Sequence, residues 1–151
     1  MKGKNTTQII TGLRVIGLLL ILEAGFMALS LLPSLYYRQG DFFALLFSTL
    51  ITLSVGLLCR VKRVDKQLSI DKRLGISIVA LIWLLIGFFG SLPYLIGGYI
   101  PNIADAVFET LSGLTTTGAT ILSDVESLPK GILFWRSLTH WIGGVGIVVI
   151  V

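Results

Sequence analysis

Long apolar runs separated by short polar segments set the pattern of this chain. Between Arg14 and Arg38 the sequence reads VIGLLLILEAGFMALSLLPSLYY, with one acid, Glu23, inside it. Phe42 to Cys59 carries no charge, and neither does Leu74 to Ala104, whose spanning part is Leu74 to Ile96. A fourth run starts near Gly131 and continues to Val151. A helix needs about 20 apolar residues to cross roughly 30 Å of hydrocarbon. Its backbone groups must be satisfied inside the segment, so the runs read as helices. A cleaved signal peptide competes for the first run, because Lys2, Lys4 and Arg14 precede the apolar stretch. No small-x-small cleavage site follows at a suitable distance, and the run is longer than a signal h-region.

The stretch between the third and fourth runs, GGYIPNIADAVFETLSGLTTTGATILSDVESLP, breaks the pattern. It is too short and too polar for two further crossings. Pro101 and Asn102 signal a helix start, with Asp105 in the position of a capping-box acid. Ile103, Val107 and Leu111 then share a face with Ala104 and Phe108 beside them, and Ser112-Gly113 reads as the stop. A helix of about 10–12 residues has the length of a re-entrant segment. Thr115, Thr116 and Thr117 follow; β-branching suits them to an extended strand. Gly118 permits backbone angles that other residues resist.

Extended backbone at membrane depth is tolerated where it is buried in protein or lines a water-filled path. Carbonyl oxygens on such a path can replace the hydration shell of a cation. If the short helix enters from outside, its C-terminal end carries about half a negative charge toward the ion. Asp105, Glu109, Asp124 and Glu126 would raise the local cation concentration. Two readings stand on spacing alone: a cation pore, or an ordinary Thr-rich loop with Asp105 and Glu109 solvating a helix start.

Composition narrows the class. The chain has 151 residues, 54% hydrophobic and 13% charged, where soluble domains carry about 25% charged residues. An ordinary soluble enzyme is excluded, and so is a nucleic-acid-binding chain despite a pI near 9.5. The single cysteine, Cys59, and the single histidine, His140, argue against an intrachain disulfide and against Cys-based or multi-His metal sites. The charges cluster: Lys2, Lys4 and Arg14 before the first run, and Arg60, Lys62, Arg63, Lys66, Lys72 and Arg73 between the second and third. The positive-inside rule places both groups in the cytoplasm and residues 97–130 outside.

The string Phe108-Glu109-Thr110-Leu111-Ser112-Gly113-Leu114-Thr115-Thr116-Thr117-Gly118-Ala119-Thr120 resembles the first pore loop of the Trk/Ktr/HKT potassium transporters. Leu133-Phe134-Trp135-Arg136-Ser137-Leu138-Thr139-His140-Trp141-Ile142-Gly143-Gly144-Val145-Gly146-Ile147 is similar to the start of the helix that follows it there. The two spans ahead favour the TrkH/TrkG branch. The resemblance implies an all-α membrane protein of potassium-channel-like fold. Residues 1–73 would be a two-helix transmembrane unit with a basic cytoplasmic loop. Residues 74–151 would be the first helix–pore loop–helix repeat, incomplete in its last helix. It implies filter oxygens from Thr115, Thr116 and Thr117, potassium at Thr116 and Thr117, and Gly118 as the signature glycine. Serine at that glycine position goes with sodium-permeable members, so glycine favours potassium. It further implies potassium uptake across the cytoplasmic membrane, no cofactor, a homodimer, and a cytosolic nucleotide-binding regulatory subunit of TrkA type. One repeat of four leaves the chain reading as an N-terminal fragment, not competent alone.

Other residues have plainer readings. Glu23 reads as a packing or interhelical hydrogen-bonding acid. Arg136 and His140 share a helix face; Arg136 is expected to pair with Asp124, Glu126 or a later repeat, and His140 to be a buried hydrogen-bonding residue. Gly143, Gly144 and Gly146, with Gly87 and Gly90, permit close helix contact. Trp135, Tyr94 and Tyr99 read as interface anchors, and Cys59 as inert. Two other functions compete: an intramembrane hydrolase using Ser112 and His140, and a non-conducting membrane scaffold.

Overall fold

The computed structural model describes the backbone of residues 2–61 and 72–150, and side chains within 9–61 and 75–145. The basic residues Lys62, Arg63 and Lys66 lie outside the described residues, as do the side chains of Lys2, Lys4, Lys72 and Arg73 and the surroundings of Gly146. Five helices follow in order: α1 Lys2–Tyr37, α2 Phe42–Leu58, α3 Lys72–Ile96, α4 Ile103–Leu114 and α5 Lys130–Ile150. Among the described residues, Ile9–Tyr37 and Gly75–Ile96 are long and apolar enough to cross a membrane, and α2 is a shorter apolar helix. At about 1.5 Å per residue, α2 reaches the lower end of the spanning range.

Polarity is arranged inside out. Leu58 and Ile76 are 71% and 73% exposed, and Leu32, Phe43 and Leu84 also point outward. Ser48, Thr52 and Thr110 are fully buried. Each hydroxyl donates to the carbonyl four residues back, Ala44 O at 2.6 Å, Ser48 O at 2.8 Å and Ala106 O at 2.9 Å. A short hydroxyl satisfied on its own helix lets backbones approach closely, which is how helices pack where lipid offers no hydrophobic drive. α1 and α2 run antiparallel and meet where Gly17 faces the Gly56 carbonyl.

The core gathers Met27, Leu45, Tyr94, Ile100, Ala106, Leu128, Ile132 and Trp135 from all five helices and the segments flanking α4. Trp135 and Tyr94 are therefore not interface anchors; both are fully buried. Trp135 is drawn in because Gly90 leaves room on α3 and offers its carbonyl to Nε1 at 2.9 Å. Tyr99 lies in the turn after α3, and burial together with the Asp41 carboxylate pushes its phenol up. Of the two roles expected for Glu23, packing and interhelical hydrogen bonding, the structure shows packing: the residue is buried, and both oxygens lack a hydrogen-bond partner among the described residues. Its carboxyl lies against Gly90, beside a mostly apolar cavity of about 370 Å³ shared with Phe26, Trp83 and Trp135.

Candidate functional site

Asn102 starts α4 as expected, its Oδ1 accepting from the Ala104 N–H at 2.9 Å. Asp105 stands in the first turn, where its charge suits the helix dipole, but no reciprocal capping bond from it is present among the described residues. The helix does not stop at Ser112-Gly113; it runs through Leu114. Gly113 instead serves a close approach, since a Cβ there would strike Thr139 on α5. α4 is about 18 Å long at the standard rise, so it reaches roughly halfway through hydrocarbon.

The threonine run departs from the expected extended strand. Thr115 caps α4 with φ −85° and ψ 0°, Thr116 is left-handed at φ 56°, and Gly118 has φ 74°. The reason lies in the orphan carbonyls of a helix end. The N–H groups of Thr115, Thr116, Thr117 and Gly118 donate to Leu111 O, Gly113 O, Ser112 O and Ser112 O at 2.8, 2.9, 3.0 and 3.3 Å. Every N–H of this turn, from Thr115 to Gly118, thus folds back onto α4. Thr115 O accepts the Thr116 hydroxyl at 2.7 Å, while the Thr116 and Thr117 carbonyls meet no donor among the described residues. Residues 115–121 are exposed.

Behind this turn sits Glu109, expected either as a pore-vestibule acid that raises the local cation concentration or as a residue solvating the helix start. It is 1% exposed. Oε1 accepts from Arg136 Nε at 2.7 Å and from Thr120 Oγ1 at 3.0 Å; Oε2 accepts from Thr120 Oγ1 at 2.9 Å and from the Ile121 N–H at 3.1 Å. Arg136 thus pairs with Glu109 and not with Asp124 or Glu126. Asp124 is occupied in its own turn, accepting from the Glu126 N–H at 3.0 Å.

One face of α5 carries Arg136, Thr139, His140 and Gly143, spaced three, four and seven residues on, and all of it meets α4. A Cβ at Gly143 would overlap the Leu114 carbonyl. Gly144 does not share this role, because a Cβ there would meet only Thr116 Cγ2 at 3.9 Å. Gly87 and Gly90 are close-packed as expected, against Leu111 and Thr110. His140 is half-buried, not enclosed, and its Nδ1 bonds the Arg136 carbonyl at 2.9 Å. The Ser112 hydroxyl donates to Ala119 O at 2.6 Å. No hydrogen bond joins Ser112 to His140 among the described residues, so no nucleophile–base pair forms between them.

Two residues that the sequence left unremarked fasten the site from the far side. Asp41 precedes α2 but makes no side-chain cap there. Its Oδ2 accepts the Ile132 N–H at 3.2 Å and its Oδ1 the Ser34 hydroxyl at 2.6 Å, while Gln39 Oε1 accepts the Lys130 N–H at 2.7 Å. The α1–α2 loop therefore caps α5. The only local signal is an acid before an apolar run, and that points to the wrong helix.

The family model for TrkH, described as cation transport protein, matches residues 42–151. The chain belongs to the TrkH family. The Trk system potassium uptake protein TrkH of Halomonas elongata is 40% identical over 139 residues, and that of Salmonella typhimurium 41%. In both cases the alignment covers 91% of this chain and 29% of the relative. The crystal structure of the potassium transporter TrkH from Vibrio parahaemolyticus superposes with a TM-score of 0.84 at 39% identity, over 94% of this chain and 31% of that one. The TrkH match agrees with the all-helical fold and with the chain matching an N-terminal part of its relatives.

Proposed function

We propose that this chain forms the N-terminal part of a potassium-uptake protein of the cytoplasmic membrane, with Thr115, Thr116, Thr117 and Gly118 as one quarter of its selectivity filter. The observation that carries this reading is the turn after α4, whose N–H groups are all spent on the helix end while the Thr116 and Thr117 carbonyls stay unpaired on an exposed surface. Removing water from an ion costs on the order of 20 kcal/mol in the Born limit, so oxygens must converge from several sides. One turn supplies one side. In the proposed assembly, further repeats supply the others, and none of the steps is enzymatic.

In this reading residues 1–73 are a two-helix brace and residues 74–151 the first repeat. The N-terminus and the 60–73 loop face the cytoplasm, where a TrkA-type nucleotide-binding subunit docks on the homodimer. The test is rubidium and sodium uptake by a full-length transporter carrying this sequence as its N-terminal part, in cells lacking potassium uptake. Gly118→Ser is expected to lower the rubidium-to-sodium ratio. An unchanged ratio removes Gly118 and its neighbours from the filter.

A further inference from the structure

Three donors from two separate stretches of chain converge on one buried carboxylate. Arg136 belongs to α5, and Thr120 and Ile121 to the loop that leaves the threonine turn. Thr120 also relays: its hydroxyl donates to Glu109 and accepts the Leu122 N–H at 3.1 Å. One helical turn further along α4, the Ser112 hydroxyl holds Ala119 O. The loop is thus tied to α4 on both sides of Ala119, directly after the unpaired carbonyls.

We propose that Glu109 is a positioning residue for ion preference: it fixes segment 117–121 from behind, with Arg136 balancing its charge and Thr120 passing the restraint to the main chain. This rests on the filter reading given above. Glu109 has no exposed side-chain surface, so it does not act by meeting the ion. Both of its oxygens are committed, and an amide cannot replace them. Gln at 109 turns an NH₂ toward either Arg136 Nε or the Ile121 N–H, and one donor loses its acceptor. A loop released at that point lets the neighbouring carbonyls relax, and the size and field of the ion site change with them.

The experiment compares rubidium and sodium uptake, at matched protein in the membrane, in a full-length transporter carrying this sequence. Glu109→Gln is expected to lower the rubidium-to-sodium ratio by about tenfold, the scale of one hydrogen bond to a charged group. Thr120 is exposed, so Thr120→Val keeps the test open where Glu109→Gln does not fold. It is expected to lower the ratio by roughly threefold to tenfold, and Thr120→Ser, which restores the hydroxyl, to return it within about twofold. Return of the ratio in Thr120→Ser marks the hydroxyl bond to Glu109 as the cause, because Val and Ser both leave the charge of the site unchanged. A wild-type ratio in Thr120→Val, or a shift that Thr120→Ser does not reverse, overturns the proposal. Gly118→Ser separates the two levels. If it shifts the ratio and Thr120→Val does not, only the positioning role falls; if Gly118→Ser also leaves the ratio unchanged, the filter reading falls with it.

Discussion

Thr116 shows what the turn costs. A β-branched residue at φ 56° is a steric outlier, disfavoured by about 1–2 kcal/mol. Strain of this kind persists where the surroundings over-determine the conformation. Here the Thr116 N–H is held by Gly113 O at 2.9 Å and the Thr116 hydroxyl bonds Thr115 O at 2.7 Å. Close contact at α5 has a sharper test. Gly143→Ala should destabilise the protein by about 1–3 kcal/mol through overpacking, because the neighbour in the way is the Leu114 backbone. Gly144→Ala should stay within about 0.5 kcal/mol. Thermal unfolding in detergent of the two single variants checks both. Equal effects would contradict the different surroundings of these adjacent glycines. Their sequence context does not separate them, since both belong to one GGVG string. Which glycine faces α4 depends on the register of two helices that the linear pattern leaves free. The start of α4 was legible because an Asn cap acts within three residues, whereas the partner of Glu109 lies 27 residues away. Nothing in the string ranks Arg136 above other bases. The β-branched run pointed to a strand, and the unsatisfied carbonyls at the end of α4 outweighed that preference.

At the scale of elements, α5 begins on borrowed acceptors. Asp41→Ala should cost about 1–3 kcal/mol, since it leaves a buried donor unsatisfied. Its signature is local: amide hydrogen exchange should speed up at Ile132, while the first turn of α2 stays as protected as before. Loss of protection confined to α2 would return Asp41 to the local capping role its position suggests. The helices themselves were readable, because uncharged runs of spanning length have few other uses. Their mutual faces were less so. Trp135 near a helix start resembles an interfacial aromatic, yet a glycine 45 residues earlier supplies both the space and the acceptor that bury it.

Across the whole molecule, the inside-out distribution of side chains gives the strongest physical argument for lipid as the solvent. Serines and threonines fill the helix contacts while leucines cover the outside. The hydropathy pattern anticipated this, and the charge pattern adds an orientation that labelling can test. Cys59 should react with a membrane-impermeant thiol reagent from the cytoplasmic side only. Glu126→Cys in a Cys59→Ser background should react from the outside. Reaction of both from one side would reject the proposed topology.

The two bonds from the α1–α2 loop to the start of α5 each span 91 residues. Gln39 and Asp41 leave the ribosome long before Lys130 and Ile132, so the first hairpin is a template that waits for its guest. Until α5 arrives, the Asp41 carboxylate that ends up wholly enclosed has the Ser34 hydroxyl for one oxygen and water for the other. The start of α5 therefore docks onto a receptor made earlier in synthesis, and a chain deprived of the α1–α2 hairpin would leave the first turn of α5 without these two acceptors.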